Sequence, residues 1–343
     1  MTDRPKTAED KKILLGHGSG GQLSHALISG IFVKAFDNPL LSPLNDQAVF
    51  SLPHSRVAFT TDSYVVSPIF FPGGDIGKLS VCGTINDLVV GGAKPLYLSA
   101  SFIIEEGYSI KALEKIARSM AATAKDAGGL VVTGDTKVVE RGKGDGVFIN
   151  TSGIGVMPEG LELGPELIRP GDVVIASGDI GDHGIAIMTH REGIEMDVPV
   201  ESDCAPLHSL VADMLSCSAG LKAMRDPTRG GVATILAEFA SASGCGFLIR
   251  EDAVPVKDAV RGACELLGFD LLYLANEGKL IAVVSKEEAE RTLNVMRKNP
   301  LGRNAAIIGE AVEKPAGIVL LETSIGNRRI LDMLSGEQLP RIC

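Results

Sequence analysis

The chain contains 343 residues, of which 45% are hydrophobic and 22% charged, a globular composition with enough apolar side chains for two domain cores. Its formal net charge of −10, without a lysine- or arginine-rich block, argues against a nucleic-acid partner and against binding to an anionic membrane. A polar start without a signal core, no apolar run near the roughly 18 residues that span a bilayer, and six cysteines without a CxxC pair predict reduced thiols in a cytoplasmic protein.

The first half of the chain alternates between strand-like and helix-like segments. "GHGSGG" precedes a helix-like stretch, and "RVAFTTDSYVV" (56–66) alternates as a strand does. A helix over 75–91, a strand over 95–104 and an amphipathic helix over 109–128 follow, and the strands "LVVTGDTKVV" and "GVFINTSGIGVM" come next. This order predicts an α+β layer in which helices pack on one face of a mixed sheet.

Prolines and glycines cluster over 157–172 and predict a domain boundary there. The second half repeats the alternation, with strands predicted at "VVIASG", "GFLIRE", "LLYLA", "KLIAVVS", 306–312, 317–322 and 328–331, and helices around 183–191, 205–219, "VATILAEFASAS", before Leu267 and over 286–298. We therefore divide the chain into a flexible leader with a glycine-rich loop and first helix (1–40), an N-terminal domain (41–157), a C-terminal α/β domain (158–331) and a mobile tail (332–343).

The glycine-rich segment "GHGSGG" (16–21) matches G-x-G-x-x-G, which is a weak signal by itself. Only "ILL" precedes it and no ribose-binding acid follows in a strand–helix–strand unit, so a Rossmann turn is disfavoured. A loop whose backbone covers phosphates and a plain flexible leader are both compatible with the pattern. Among six scattered histidines, only His17 is assigned to such a ligand loop.

Four aspartates stand at the ends of apolar elements with small residues beside them: Asp62, Asp87, Asp135 and Asp226. Each alone reads more simply as a cap or turn residue. Together, oxygen ligands from several loops suit magnesium, which commonly holds a nucleotide through its phosphates. The set therefore predicts a magnesium–nucleotide site at one edge of the fold.

Lys137 could neutralise a phosphate or, if partly desolvated, move a proton. Lys137 follows Asp135 by two positions, so on a strand the two side chains share a face. Asn276 and Glu277 in "LANEGKL" lie between apolar segments, where a hairpin turn is the simpler interpretation. The residues alone leave open whether Asn276 and Glu277 belong to a ligand site or to a simple turn.

The sequence ends in a polar segment, "SGEQLPRIC", with Cys343 at its last position. The other five cysteines lie in apolar or helical surroundings, where cysteine is usually a small buried hydrophobe. The position does not match a prenylation signal, which needs the cysteine four residues from the end. A tail of ten residues can extend about 33–36 Å, enough to visit a partner and return to a pocket. An incidental cysteine is the alternative.

Taken together, the motifs resemble those of the hydrogenase maturation factor HypE family, within the wider group of aminoimidazole ribonucleotide and selenophosphate synthetases. They are "LLGHGSGG", "TTDSYVVSP", "GTINDLVVGGAKPLYLS", "VVTGDTKVVERGKGDGVFINTSGIG", "RDPTRGGVATILAE", "NEGKL" and "PRIC". These stretches run from residue 14 to residue 343, and "DPTRGG" combined with "PRIC" is highly specific.

The resemblance implies a two-domain aminoimidazole ribonucleotide synthetase-like fold, with an N-terminal mixed sheet that dimerises, a C-terminal α/β sandwich and a flexible tail. It also implies ATP and Mg²⁺ at the domain junction, with Asp62, Asp87, Asp135 and Asp226 on the metal. Asp46 matches its family stretch imperfectly. The residues implied to contact the nucleotide are His17, Gly18, Gly20, Gly21, Asp46, Asp62, Asn86, Asp87, Asp135, Thr136, Asp226, Thr228 and Asn276.

The implied chemistry uses Cys343 as both substrate and carrier. The carbamoyltransferase HypF would load a carbamoyl group on this thiol, and ATP would drive its dehydration to a thiocyanate, with Lys137 or Glu277 as the base. The cyano group would then pass to iron on the HypC–HypD scaffold for the NiFe-hydrogenase centre. Two alternatives remain: a synthetase of the same fold that uses a diffusible substrate, and a non-catalytic maturation scaffold.

Overall fold

The structure is a computed structural model that describes residues 11–14, 17, 26–39, 56–334 and 341–343. Gly18, Gly20, Gly21 and Asp46 lie outside the described residues, as does part of the predicted leader. Within the leader, Ile13 is fully buried and its amide donates to the carbonyl of Tyr108 (2.8 Å). No helix in these ranges combines the length and the apolar character needed to cross a membrane.

Within the described residues, the first sheet contains four strands: β1 (Val57–Tyr64), β4 (Lys94–Glu105), β5 (Leu130–Val139) and β6 (Val147–Val156). Their order across the sheet is β1-β6-β4-β5. β4 and β5 are parallel, and the other neighbours are antiparallel. The short strands β2 (Phe70–Phe71) and β3 (Gly74–Asp75) form a separate antiparallel pair between β1 and β4 in the chain.

A π-helical turn (Ile28–Phe32) continues into the short helix α1 (Val33–Phe36). The longer helix α2 (Ile76–Val90) begins after Asp75, whose carboxylate accepts a hydrogen bond from the amide of Gly77 (2.8 Å). Such a cap satisfies an amide that has no partner within the helix. α2 is buried around most of its circumference, so it forms the centre of the N-terminal layer.

Helix α3 (Ile110–Asp126) makes the crossover that the parallel strands β4 and β5 require. It begins after Ser109, whose hydroxyl oxygen accepts a hydrogen bond from the amide of Ala112 (3.2 Å) and so caps the helix. One apolar stripe of α3 is buried and the opposite face is solvated. Both helices pack on the same face of the first sheet, as predicted.

Seven strands form the second sheet: β7 (Val173–Ala176), β8 (Leu221–Arg225), β9 (Gly246–Arg250), β10 (Ile281–Val284), β11 (Ala306–Val312), β12 (Val319–Glu322) and β13 (Arg328–Leu331). Their order is β13-β12-β9-β11-β7-β10-β8. Only β9 and β12 are parallel among the paired strands described. The sheet is flanked by α4 (Asp182–Glu192), α5 (His208–Cys217), α6 (Gly231–Ser243), α7 (Asp258–Leu267) and α8 (Ala289–Lys298).

The hydrophobic core is divided by the second sheet. On one side, α6 packs against the sheet, with Phe239 and Phe247 fully buried there. On the other side, apolar residues of α5 and α8 belong to the same continuous cluster as the core of the first sheet. The two halves of the molecule therefore share one core across their junction.

Two segments of the second half differ from the prediction. "LLYLA" is not a strand: Leu271–Tyr273 forms a 3₁₀ turn, because Asp270 Oδ1 accepts a hydrogen bond from the amide of Leu272 (3.1 Å). Strand β8 was not predicted, since its sequence "LKAMR" carries two cations and shows little alternation. The predicted fold class, a two-domain α+β protein, is confirmed by the mixed sheets and their helices.

Candidate active site

Three of the predicted carboxylates lie at the junction of the two sheets. Asp62 is on β1, Asp87 is on α2, and Asp226 directly follows β8. Thr60 Oγ1 donates a hydrogen bond to Asp87 Oδ2 (2.7 Å), and Tyr64 Oη donates one to Asp62 Oδ2 (3.2 Å). Residues of one strand thus orient two of the three acids.

Burial raises the pKa of all three carboxyls and is the largest cause at each. The charge of Asp87 also raises the pKa of Asp62, and both of these acids help to raise the pKa of Asp226 to about 7. Arg225 lowers the pKa of Asp87 and Asp226, and Arg229 lowers that of Asp62. Because the acids repel one another, a bound cation would stabilise their ionised forms.

The acids do not form a closed metal cage. No group of three or more His, Cys, Asp or Glu side chains in the described ranges is arranged to hold a metal ion by itself. Mg²⁺ usually keeps several waters and is bound through one or two carboxylates together with substrate phosphates. Coupled but separated carboxylates fit that mode of binding, so Asp62, Asp87 and Asp226 could hold Mg²⁺ with a phosphorylated ligand.

A groove with a volume of about 450 Å³ lies beside these acids, between the first sheet and the start of the second. Its walls are Phe59, Thr60, Asp87, Val90, Gly91, Leu163, Gly164, Pro165, Ala223, Met224, Arg225, Asp226 and Phe239. Its walls combine apolar side chains with the polar groups of Thr60, Asp87, Arg225 and Asp226, as sites for small organic ligands commonly do. The groove could therefore hold a nucleotide base or sugar, with its phosphates near the acids.

Glu277 is buried close to the acids, and its Oε1 has no hydrogen-bond partner among the described residues. Burial raises its pKa well above the usual value, and the charges of Asp226 and Asp203 raise it further. The backbone around Glu277 is fixed: its amide donates to Asp203 Oδ1 (3.0 Å), and its carbonyl accepts from Asn86 Nδ2 (3.2 Å). Such a carboxyl is held ready to exchange a proton with a ligand.

The last three residues are seated against the segment that continues β1. The amide of Val65 donates to the carbonyl of Cys343, and the amide of Ser67 donates to the carbonyl of Arg341 (3.1 Å each). The side chain of Ile342 is buried. The predicted mobility of the tail stays a prediction, but its end is bound in this conformation.

Charged groups of the site shift the pKa of the Cys343 thiol. Burial raises its pKa to about 12, with further contributions from Glu277 and Asp62, whereas Arg229 lowers it. The thiol is therefore protonated at neutral pH and a weak nucleophile. Cys343 and Glu277 are both predicted catalytic residues, and the fold brings them together.

Two predicted ligand residues, Asn86 and Asn276, form hydrogen bonds with the protein backbone. Asn86 Nδ2 donates to the carbonyls of Ala205 and Glu277, and its Oδ1 accepts from the amide of Leu207. Asn276 Oδ1 accepts from the amide of Gly181, and its Nδ2 donates to the carbonyls of Pro227 and Leu274. In this conformation both asparagines position other site residues, and their contact with a nucleotide stays a prediction.

The loop after β8 presents Thr228 and Arg229 beside Asp226. The amide of Thr228 donates to the carbonyl of Asp226 (3.0 Å), and its carbonyl accepts from the amide of Gly231 (3.0 Å), where α6 begins. This tight turn keeps Thr228 next to Asp226 in the chain's fold. A helix N-terminus next to a cation favours a bound anion such as phosphate.

Asp135, Thr136 and Lys137 lie elsewhere in the chain's fold. Lys137 Nζ pairs with Asp135 Oδ1 (3.0 Å), and the amide of Thr136 donates to the same oxygen (2.8 Å). Lys137 is the main reason that the pKa of Asp135 is lowered. β5 is at the opposite edge of the sheet from β1, roughly 14 Å away by three strand spacings. Only three of the four predicted metal ligands therefore come together within one chain.

His17 stands in a short described segment. Its Nδ1 is 2.9 Å from the amide nitrogen of Leu14, which donates to it, so the ring closes a local turn. The neighbouring glycines lie outside the described residues. The role of His17 in a ligand loop stays a prediction.

Several residues that contact the site or the tail were not predicted: Tyr64, His183, Arg191, Asp203 and Arg229. His183 and Asp203 are single polar residues in otherwise ordinary segments, and only their burial in the fold marks them. Arg229 was within a quoted motif, "DPTRGG", and a cation in a glycine-flanked loop was the available signal.

Family models match both halves of the chain. Residues 44–157 match the N-terminal domain of AIR synthase related proteins, and residues 169–322 match the C-terminal domain. Carbamoyl dehydratase HypE from Rhizobium leguminosarum bv. viciae is 57% identical over 333 residues, which are 97% of this chain and 95% of that protein. The chain belongs to the HypE family. The resemblance in its motifs is thereby confirmed.

Solved HypE structures agree with this assignment. A HypE crystal structure in complex with ATP is 48% identical, with a TM-score of 0.93, over 96% of this chain and 99% of that one. A HypE–HypF complex contains a chain that is 49% identical, with a TM-score of 0.79, over 90% of this chain and 100% of that one. The HypE fold thus covers both sheets described above.

Proposed function

We propose that this chain uses ATP to dehydrate a carbamoyl group carried on its own Cys343, which gives a thiocyanate for the cyanide ligands of NiFe hydrogenase. Membership of the HypE family confirms the predicted class, an ATP-dependent carbamoyl dehydratase that acts in hydrogenase maturation. The observation that carries the use of Cys343 is its seat beside Glu277 and the acid cluster. A diffusible substrate would have to displace these terminal residues.

The reaction must remove oxygen from an S-carboxamide, and that oxygen is a poor leaving group. Transfer of the γ-phosphoryl group of ATP to the carbonyl oxygen makes the leaving group phosphate. Two amide protons depart as the C–N triple bond forms, so the thiocarbamate and ATP give thiocyanate, ADP and phosphate. Positioning and charge neutralisation dominate such a transfer, and no nucleophile from the protein is needed.

Glu277 is the better placed of the two proposed bases. Its Oε1 has no hydrogen-bond partner among the described residues and can receive an amide proton from the substrate on Cys343, and the raised pKa makes the ionised carboxylate a stronger base. Because the pKa of the Cys343 thiol is raised to about 12 in this pocket, the unloaded thiol is inert there. Carbamoyl loading therefore takes place with the tail outside, on HypF, and dehydration with the tail inside.

The complex of a related HypE with ATP supports binding of this nucleotide, and the groove beside Asp87 and Asp226 is where we expect it to bind. Asp62, Asp87 and Asp226 would hold Mg²⁺, which neutralises phosphate charge when it is bound. Arg229 adds a fixed positive charge beside the thiol, where the transferred phosphoryl group would develop negative charge.

A homodimer would bring the missing residues to this site. Among the described strands, β1 and β5 have no neighbour on their outer sides, and each ends one edge of the first sheet. Apolar side chains are exposed there, including Phe59 (70%) on β1 and Leu130 (41%) on β5. If β5 of a second copy pairs with β1, its Asp135 and Lys137 approach the acid cluster.

The proposed partners follow from the same carrier cycle. The solved complex of a related HypE with HypF supports HypF as the carbamoyl donor. The HypC–HypD scaffold is proposed as the acceptor of the cyano group, and the cytoplasm as the location. No nucleic-acid or membrane partner is part of the proposal.

Mass spectrometry of the C-terminal peptide tests the function. After carbamoyl loading by HypF, Mg-ATP should remove one water from the peptide that contains Cys343. Glu277→Gln, which keeps the shape of the side chain, should still accept the carbamoyl group but dehydrate it about 10²- to 10⁴-fold more slowly. Cys343→Ala should take up no carbamoyl group and still bind ATP.

Two outcomes would overturn the proposal. If the loaded wild-type peptide keeps its mass with Mg-ATP, dehydration does not occur on this thiol. If Cys343→Ala supports hydrogenase maturation at the normal level, the carbamoyl group is not carried on Cys343, and the substrate must be a diffusible compound.

A further inference from the structure

The end of the tail is recognised through its backbone, and one of its contacts comes from a buried histidine. His183 on α4 is fully buried, and its Nε2 lies 2.8 Å from the carbonyl oxygen of Ile342. Its other ring nitrogen, Nδ1, lies 2.8 Å from Ser202 Oγ. With the contacts from Val65 and Ser67, the carbonyls of all three last residues accept hydrogen bonds.

The partners of His183 determine which ring nitrogen carries the proton. The carbonyl of Ile342 can only accept, so Nε2 must be the N–H donor. Burial lowers the pKa of His183, which favours the neutral ring, and Nδ1 is then an acceptor. The hydroxyl of Ser202 donates to it, and the same oxygen accepts from the amide of Cys204 (3.1 Å). A directed chain of hydrogen bonds therefore runs from the Cys204 amide to the tail.

This chain begins in the loop that fixes the proposed base. Asp203 Oδ1 accepts from the amide of Glu277 (3.0 Å), and the amide of Ala205 donates to the carbonyl of Glu277 (3.3 Å). Ser202 and Cys204 flank Asp203 in this loop. The distance between Glu277 and the terminal thiol is thus set through the loop on one side and His183 on the other.

We propose that His183 is a positioning residue that holds the carbonyl of Ile342 and thereby seats the thiol of Cys343 beside Glu277. The inference rests on the proposed function, because it assumes that the seated tail is the reacting one. It assigns to His183 no contact with the carbamoyl group or with ATP. Its effect is on the fraction of molecules whose tail is seated.

A role in packing alone is the rival explanation. The ring of His183 packs edge-on against Phe71, with centroids 5.6 Å apart, so its removal could also disturb the core. The two roles separate with substitutions that differ in hydrogen-bond donors. His183→Leu retains an apolar side chain without a donor, whereas the amide of His183→Gln can donate near the position of Nε2.

The experiment measures alkylation of Cys343 by iodoacetamide in the intact folded protein, read from the mass of the C-terminal peptide. The seated thiol is partly buried and protonated, so the wild type should react slowly. His183→Leu should react roughly tenfold faster, since loss of a buried hydrogen bond leaves a carbonyl unpaired and shifts the tail outwards. His183→Gln should fall near the wild type. His190→Leu, an exposed histidine on the same helix, is the matched control and should not change the rate.

The outcomes discriminate clearly. An unchanged alkylation rate in His183→Leu, or an equal increase in His183→Leu and His183→Gln with an equal fall in melting temperature, overturns the positioning role. Alkylation needs neither carbamoyl transfer nor ATP. If the expected pattern appears while the loaded wild type loses no water with Mg-ATP, the seat held by His183 stands and the proposed dehydration fails.

Discussion

Asp226 illustrates how a single residue can weaken a fold in order to serve a site. Its half-buried carboxyl follows β8, where the charges of Asp87 and Asp62 add to the effect of burial on its pKa. Arg225 lowers this pKa only in part, so the carboxyl still favours its neutral form. The site is therefore most strained when it holds no ligand and the pH is high enough to ionise all three acids.

The pH dependence of stability tests this strain. The pKa of Asp226 is about 7 when folded, against 3.8 as the usual value, so the folded state binds the proton more tightly. Between these pH values stability falls as pH rises, and it levels off above about 7. Asp226→Asn should lack this contribution, so the unfolding free energy of the wild type relative to the variant should fall by roughly 2–4 kcal/mol from pH 4 to pH 7.5.

Urea unfolding at several pH values, without Mg-ATP, measures the difference. Asp252→Asn, at an exposed acid in the turn Glu251–Ala253, is the control and should follow the wild-type curve at constant offset. Parallel curves for Asp226→Asn and the wild type would mean that folding does not raise the pKa of Asp226.

Residue patterns predicted the acids better than they predicted their partners. Asp62, Asp87 and Asp226 were found because each stands near the end of an apolar segment, which is visible in one dimension. The separation of Asp135 was not visible, because it depends on the order of strands across the sheet. His183 was not singled out either, since a lone histidine acquires a role only when the tail lies against it.

At the scale of elements, the close approach of two loops determines where Glu277 sits. A Cβ atom on Gly278 would lie 1.9 Å from the carbonyl oxygen of Asp203, so only glycine fits between the loop and Glu277. The buried pair of Asp203 and Lys279 (3.2 Å) lies on the same connection. The position of the proposed base is therefore a property of two packed loops and not of a single strand.

Gly278→Ala should push these loops apart. We expect a loss of roughly 1–3 kcal/mol in unfolding free energy, since the obstacle is backbone, together with a large fall in the rate of dehydration. Gly262→Ala is the matched control: the site lies in helix α7, has open space around it, and should gain about 0.5–1 kcal/mol. Thermal or urea unfolding and single-turnover dehydration measure both effects.

A normal dehydration rate in Gly278→Ala would contradict the role of this contact. If Gly278→Ala lowers the stability but not the rate of dehydration, the strain that it introduces does not displace Glu277.

Elements with a strong local pattern were predictable, and those determined by neighbours were not. The stripe of α3 and its serine cap define a helix locally. β8 is a strand because it pairs with β10 at the edge of the sheet, in spite of its two cations. Leu271–Tyr273 turns because an aspartate captures a nearby amide, although its apolar sequence suits a strand.

At the scale of the whole molecule, β1 and β5 have no outer neighbour among the described strands, and these two edges predict shared sites between two copies. If Asp135 acts on the partner's acid cluster, Asp135→Asn and Asp226→Asn damage the same site from different chains. Co-expression of the two inactive variants would produce mixed dimers with one intact site and one doubly damaged site. About a quarter of the wild-type activity should return in a random mixture.

Single-turnover dehydration on purified, differently tagged mixtures measures this recovery. Asp62→Asn co-expressed with Asp226→Asn is the control, because both residues come from the same chain and no activity should return. Absence of recovery with Asp135→Asn would show that Asp135 serves its own chain or no site at all.

The continuous core across the two halves has a consequence for how the pocket exchanges its contents. Apolar side chains from both sheets belong to one cluster, so the halves cannot swing apart as rigid lobes without exposing that cluster to water. Entry to the site and exit from it must then depend on local movement of the C-terminal tail, while the rest of the structure keeps its conformation. The site therefore opens by withdrawal of the C-terminal tail and not by separation of the two halves.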